Sequence, residues 1–152
     1  MKLLLTILLL TASLHAATPM PQIVHQNDKY SLMVDGKPFI VLGAQTLNSS
    51  AWPEQFDALL PGAAALGINT IEVPAYWENV EPKEGDFHFD TVDHIIQSAR
   101  AHHFHLVLLW FGTWKNGTMD YAPNWVKSDP ARFPHMLDQG RQPVRVLTPL
   151  SD

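Results

Sequence analysis

Three apolar runs recur along the chain with room for one helix between each pair: FIVLGA at 39–44, INTIEV at 68–73 and HLVLLWF at 105–111. All three read as strands, and the continuous apolar run at 39–44 is of the sort buried on both faces. The first interval opens a helix at Pro53, with Ser50 or Ala51 near its start, because proline is tolerated in a first helical turn. Phe56, Leu59, Leu60 and Ala63 make its apolar face, and Gly67 can end it in a left-handed conformation. Pro61 lacks an N–H, so it is expected to kink or split this helix. In the second interval Asp90 reads as a cap, and Val92, Ile95, Ile96 and Ala99 fall at i, i+3, i+4 and i+7. Strand, helix, strand, helix, strand predicts a parallel α/β sheet built from βαβ units. Upstream, 22–26 and 29–34 read as short strands about an Asn27-Asp28 turn, followed by an Asp35-Gly36 hairpin signal.

The 152 residues suffice for one domain, with 46% apolar and 16% charged residues, a globular balance. A net charge of −5 supplies no basic footprint for nucleic acid or an anionic membrane. With no cysteine there is no disulfide, no thiolate metal site and no cysteine nucleophile. Met1-Lys2, the Leu/Ile-rich stretch at 3–10 and the small residues at 12–17 form a secretory signal peptide over 1–17. It is shorter than the ~20 residues a membrane span needs. The expectation is a periplasmic or secreted mature chain, 18–152, with no stable membrane anchor. Asn48 and Asn116 lie in Asn-x-Ser/Thr sequons.

In a parallel α/β sheet the functional loops follow the carboxyl ends of the strands. Here those loops are 45–52 (QTLNSSAW), 74–89 and 112–125, and they hold the unusual polar and aromatic residues; the opposite connections are short. Strand alternation places Glu72 with Ile68 and Thr70, opposite Ile71 and Val73. Helices must cover the apolar face, so Glu72 points inward, where a charge is expected to be paired, in a structural ion pair or in a site. Trp77, Trp110, Trp114 and Trp125 are ordinary packing material singly, but beside Asn48, Asn79, Lys115 and Asn116 they favour a polar, ring-shaped ligand. Glu81-Pro82-Lys83-Glu84-Gly85 reads as a turn with Glu84 solvated, and Phe87 and Phe89 can both bury to pin it. His102, His103 and His105 straddle a helix end and a strand start and do not converge easily, so no metal is expected, and no cofactor motif is present.

The stretch NTIEVPAYWENVEPKEGDFHFDTVDHIIQSARAHHFHLVLLWFGTWKNG, with YAPNWVK after it, resembles the start of the catalytic barrel of clan-A β-galactosidases, glycoside hydrolase families thirty-five and forty-two. The spacing aromatic-x-x-x-Glu-Pro-x-x-Gly-x-Phe/Tyr-x-Phe is the specific part, and the similarity runs over about residues 28 to 135. The resemblance implies the N-terminal portion of a (β/α)8 TIM barrel, about three βα units plus a β-hairpin. It implies retaining hydrolysis of a β-galactoside, in which one carboxyl protonates the leaving oxygen and another forms the glycosyl-enzyme. In the family the acid/base belongs to an Asn-Glu pair ending the fourth strand and the nucleophile ends the seventh. A whole barrel takes ~250 residues, and no Asn-Glu pair occurs in this sequence. Residues 18–152 are therefore expected to be an incomplete barrel domain without catalytic residues of its own. Its site walls are read as Gln45, Asn48, Glu72, Trp77, Glu78, Trp110, Trp114 and Lys115. Many family-thirty-five members carry Arg-Pro-Gly-Pro-Tyr after the third strand. Here Trp110, Phe111, Gly112, Thr113 and Trp114 stand there, and Trp114 takes the position of a substrate-side Tyr, a departure bearing on galactose preference.

The partners expected are a carbohydrate substrate and, if the reading frame is split, the remainder of the barrel. Two other readings compete: a non-catalytic sugar-binding or interaction module on a partial barrel, and a small α/β domain unrelated to sugars.

Overall fold

A computed structural model of the chain describes residues 19–115, 120–148 and 150. Residues 1–17, read above as a signal peptide, and Asn116 lie outside these described residues. The fold divides into two compact units, one up to Ile40 and one from Val41.

The first unit is an antiparallel meander of β1 (Gln22–Gln26), β2 (Lys29–Val34) and β3 (Lys37–Pro38). Gln26 pairs with Lys29 and Val34 with Lys37, so each turn has two residues. All four turn residues have positive φ: 52° and 56° at Asn27 and Asp28, 51° and 73° at Asp35 and Gly36. Two-residue turns of this kind match the twist of the flanking strands, and Asn, Asp and Gly tolerate them best.

The second unit holds β4 (Gly43–Gln45), α1 (Pro53–Ala65), β5 (Thr70–Tyr76), α2 (Trp77–Val80), α3 (Asp90–Ala101), β6 (His105–Phe111), α4 (Asn124–Lys127), β7 (His135–Leu137) and β8 (Pro143–Leu147). β4, β5 and β6 form the parallel sheet in that order, with Gly43 level with Thr70 and His105, and Gln45 level with Glu72 and Val107. β7 and β8 add an antiparallel pair that the sequence pattern did not announce. One face of the sheet carries Ile71 and Val73. These pack with Phe56 and Leu60 of α1, Ile95 and Ala99 of α3, and Phe104, all buried. Burying side chains of this size stabilises by about 1.5–3 kcal/mol each. The two helices also meet through His94 Nε2 and Asp57 Oδ2 at 2.9 Å.

Several local expectations shift. The run 39–44 yields a strand only over Gly43–Gln45. Phe39 N–H bonds to Leu32 O, and Leu42 N–H goes to the Asn69 side chain, so pairing with β5 starts one residue later. β5 in turn occupies Thr70–Tyr76 rather than 68–73. α1 is one helix across Pro61, neither split nor shortened. Pro61 gives no N–H to the carbonyl of Asp57, and both residues are exposed, so water can satisfy that carbonyl. Leu59 is 43% exposed instead of joining the buried face. Asp90 is the first helical residue, not the cap; Phe89 holds that place with no side-chain bond, and Asp90 and Asp93 instead set negative charge in the first turn, where the helix dipole favours it.

α1 and α3 end in the same way. Gly67 (φ 71°) follows α1, with its N–H to Ala64 O and Ile68 N–H to Ala63 O. His103 (φ 61°) follows α3, with its N–H to Arg100 O and Phe104 N–H to Ala99 O. Both are left-handed terminations that satisfy the last carbonyls, but only one uses glycine. A residue with a Cβ is strained there. Replacing His103 by Gly should therefore stabilise this turn by about 0.5–1 kcal/mol. Amide hydrogen exchange at Phe104 will slow several-fold if this holds, and unchanged exchange would contradict it.

Candidate functional site at the carboxyl ends of the parallel strands

The register decides which side chains share the inner face. Residues of the same level lie on the same side of the sheet, so Gln45, Glu72 and Val107 form one inward row and Tyr76 and Phe111 another at the strand ends. Gln45, Glu72, Thr70 and Val107 line a common cavity of about 280 Å³. Glu72 has no ion pair or side-chain hydrogen bond among the described residues, contrary to the expectation of a paired charge. It is only half-buried, so water solvates the carboxylate.

Above this row Tyr76 joins the loops. Its hydroxyl donates to Asn48 O at 2.6 Å and accepts the Ala51 N–H at 3.3 Å. Its ring stacks on Tyr121 at 5.0 Å and tilts against Trp52 at 5.9 Å and Phe111 at 6.1 Å. Burial pushes the Tyr76 phenol above its usual value, so it keeps the proton it donates. Burial, and then the charge of Glu78, do the same to Tyr121. Lys115 places its ammonium 4.8 Å from the centre of the Phe111 ring. Glu78 N–H is held by Tyr121 O, and its carboxylate lies 3.6 Å from Lys127 Nζ. The same ammonium lies 3.5 Å from Asp120, whose side chain is only 7% exposed and also accepts the Ala122 N–H.

Of the eight residues read as site walls, the structure thus brings Gln45, Asn48, Glu72, Glu78 and Lys115 to the inner face and its rim. Trp110 is a correction. It is level with Ala75, on the helix side of the sheet, and with Phe89, Val92 and Leu108 lines a separate cavity. Trp77 packs beside it, rings 6.5 Å apart, and edge-on to Trp125 at 5.9 Å. A Cβ at Gly112 would come within 3.1 Å of Trp110 Nε1, a tight contact that the exposed indole would have to yield to. Trp114 is 53% exposed and lines an apolar cavity with Met136, Val144 and Leu147.

The glutamate-rich turn after β5 is scaffold. Glu81 accepts Trp77 Nε1–H at 2.8 Å on one carboxylate oxygen and Gly85 N–H at 2.8 Å on the other, while its carbonyl takes Trp125 Nε1–H at 3.0 Å. Gly85 has φ 76°, and Lys83 bridges to Asp86 across the turn. Glu84 is not simply solvated. It forms a two-pronged pair with Arg132 at 2.9 and 2.6 Å, which holds its carboxyl below the usual range. The Arg132 guanidinium lies over the Phe133 ring at 4.8 Å. Phe87 and Phe89 are exposed and stack on each other at 6.3 Å rather than burying. His102 bonds through Nδ1 to Ser98 O.

Sequence reasoning missed Tyr76, Tyr121, Asp120 and Lys127. Tyr76 was within reach: it has the parity of Glu72 and ends the same strand.

The parallel sheet with helices on one face and a polar, aromatic mouth at its carboxyl ends is a partial α/β fold of the kind found in glycoside hydrolases. The sequence model of glycosyl hydrolases family 35 matches residues 31–131, and the chain belongs to that family. The reading as a domain unrelated to sugar hydrolases is thereby set aside. A β-galactosidase of Xanthomonas manihotis is 30% identical over 100 residues, 61% of this chain and 16% of its own. Beta-galactosidase 12 of Oryza sativa subsp. japonica is 35% identical over 63 residues, 41% of this chain and 7% of its own. The chain thus spans 16% and 7% of the length of these two curated relatives. Among solved structures, an exo-β-1,4-mannosidase from Opitutaceae bacterium strain TAV5 superposes with a TM-score of 0.50 at 24% identity, over 63% of this chain and 20% of that one. A β-galactosidase from the psychrophilic Marinomonas ef1 gives 0.51 at 15% identity, over 74% and 16%. Both likenesses concern the fold.

The Glu81 contacts yield a direct test. Glu81→Ala removes the acceptor for two donors, a change that costs about 1–3 kcal/mol. The Trp77 and Trp125 indoles should become more mobile, read as a red-shifted, more readily quenched tryptophan emission. Emission identical to the parent would show that Glu81 does not organise the turn.

Proposed function

We propose that this chain forms one wall of the sugar-binding mouth of a retaining β-galactosidase-like glycoside hydrolase. The observation that carries the reading is the inward row of Gln45 and Glu72 beneath Tyr76, Phe111 and Tyr121, at the carboxyl ends of parallel strands, in a chain of family 35. Amide and carboxylate groups at one level can bond to sugar hydroxyls, and the aromatic group above offers apolar faces to a pyranose ring. On this reading the three parallel strands are the first three βα units of a (β/α)8 barrel.

Retaining hydrolysis needs two carboxyl groups ~5–5.5 Å apart, one on each side of the scissile bond. Glu81 and Glu84 do not supply them: both carboxylate oxygens of each are engaged in structural contacts. Glu72 contributes as a binding wall. The acid/base and nucleophile are proposed to come from further βα units, in keeping with the small share of the relatives' length that this chain spans. The substrate proposed is a β-galactoside or a related glycan, and the remainder of the barrel is the protein partner.

The 152 residues alone should give no turnover of a nitrophenyl β-galactoside, whereas a polypeptide extended through the whole barrel, with a fourth-strand Asn-Glu pair and a seventh-strand nucleophile, should hydrolyse it. Turnover by the 152 residues that disappears in Glu78→Gln would place the catalysis in the rim described above and overturn the reading. Binding without turnover by the extended polypeptide would favour a sugar-binding module.

Export is proposed on the leader alone, from Met1-Lys2, the Leu/Ile stretch and the small residues up to Ala17. N-terminal sequencing of the mature material is expected to start near Ala17 or Thr18; an intact Met1 would remove the claim.

A further inference from the structure

Lys127 stands between two carboxylates that the chain brings in from different elements. Its ammonium lies 3.5 Å from Asp120, in the loop after β6, and 3.6 Å from Glu78, on α2. The two are unequal partners. The Asp120 side chain is nearly buried and is fixed by accepting the Ala122 N–H, whereas the Glu78 side chain is 43% exposed. Charges withdrawn from water attract more strongly and are screened less, so Asp120 anchors the ammonium and Glu78 is the arm that the ammonium holds. The root of the lysine is fixed as well: Val126, which precedes it, and Ala122 are fully buried in one cluster, against which Trp77 and Trp125 pack. Among the described residues the Glu78 carboxylate has no partner other than this ammonium. Its backbone is held separately, by its own N–H to Tyr121 O, so the lysine governs the side chain alone. That side chain lies beside the aromatic group of the mouth, since the Tyr121 phenol is pushed up by burial first and by the charge of Glu78 second.

We propose that Lys127 is a positioning residue: anchored on Asp120, its ammonium aims the Glu78 carboxylate at the sugar as a hydroxyl acceptor, and it makes no contact with the sugar itself. The inference rests on the reading of this mouth as a sugar site. The ammonium approaches Oε2 of Glu78, so Oε1 keeps its lone pairs for a sugar hydroxyl. Without the ammonium, Glu78 and Asp120 would face each other as like charges with nothing between them. Asp120 is held in place by the Ala122 N–H, so the exposed Glu78 is the one that swings away into water. A displaced acceptor weakens substrate and transition state alike, so KM rises while kcat stays nearly constant. Arginine at the same position still supplies the positive charge.

The test uses the polypeptide extended through the whole barrel, with a nitrophenyl β-galactoside, and compares Glu78→Gln, Lys127→Met, Lys127→Arg and Gln45→Ala. Glu78→Gln is expected to raise KM about tenfold with kcat within about a factor of two, the loss of one hydrogen bond to a charged group. Lys127→Met should raise KM about threefold to fivefold, the scale of a partly exposed ion pair, and Lys127→Arg should restore most of it. In the Glu78→Gln background Lys127→Met should add no further rise, because the ammonium acts through that carboxylate. Should Lys127→Met leave Asp120 as a lone buried charge and fail to fold, the same change combined with Asp120→Asn carries the same expectation. If Glu78→Gln raises KM and Lys127→Met leaves it unchanged, the sugar-site reading stands and the positioning role is wrong. If the two variants multiply, Lys127 acts elsewhere and the proposal is again wrong. If Gln45→Ala raises KM while Glu78→Gln does not, the sugar site stands without Glu78 and the proposal falls. If none of the three moves KM, the mouth is not a sugar site, and both readings fall together.

Discussion

The register of β5 between β4 and β6 is the constraint on which the rest depends. Once Gln45, Glu72 and Val107 share a level, every residue of β5 is assigned to a side. Ile71 and Val73 must face the helices, and they find Phe56, Leu60, Ile95 and Ala99 there. Thr70, Glu72 and Tyr76 must face the other way. A slip of one residue would bury the Glu72 carboxylate among aliphatic side chains and expose Ile71 and Val73, an exchange costing several kcal/mol on the desolvation of the charge alone. The polar mouth is thus a consequence of the apolar core rather than a separate design.

The loop after β5 shows how a charge-rich segment can use its carboxylates to hold its own shape. Glu81 collects an indole N–H and a backbone N–H on its carboxylate and a second indole on its carbonyl. Glu84 and Arg132 close the outside of the same turn across 48 residues of chain. Both carboxylates have donors on each oxygen, and that is what separates them from Glu72, which water solvates, and from Glu78, which has only Lys127 Nζ at 3.6 Å. Carboxylates with uncommitted lone pairs are the ones able to bond a ligand.

Much of this was legible in the sequence. The three parallel strands, the two helices, both two-residue turns and the left-handed stop at Gly67 followed from periodicity and residue chemistry. Glu72 was placed on the inner side by alternation alone. What failed did so for physical reasons. The strand at 39–44 was cut short because the Asn69 side chain captures the Leu42 N–H, a competition that no hydrophobic pattern records. Phe87 and Phe89 alternate as expected, but both stay about half exposed and stack on each other. Trp110 was judged by its chemistry when its register, level with Ala75, decides its side. Tyr76 was passed over because its role is carried by one hydroxyl meeting backbone groups 25 and 28 residues away. Arg132, likewise, lies too far along the chain for its pairing with Glu84 to be visible in a local window.

The spread of these contacts along the chain also has a kinetic meaning. The β1–β2 turn and the two helix terminations close over a few residues, whereas the mouth is joined by contacts spanning 28 residues from Asn48 to Tyr76 and 44 from Glu81 to Trp125. Closing a long segment costs chain entropy before any contact rewards it. The parallel pairings close segments of similar length, from Gly43 to Thr70 and from Thr70 to His105, so mouth and sheet alike form only after long stretches of chain have come together. Ala51 and Tyr76 of the mouth sit in the same buried cluster as Ile71 and Val73, so opening the mouth at these residues also unpacks the sheet.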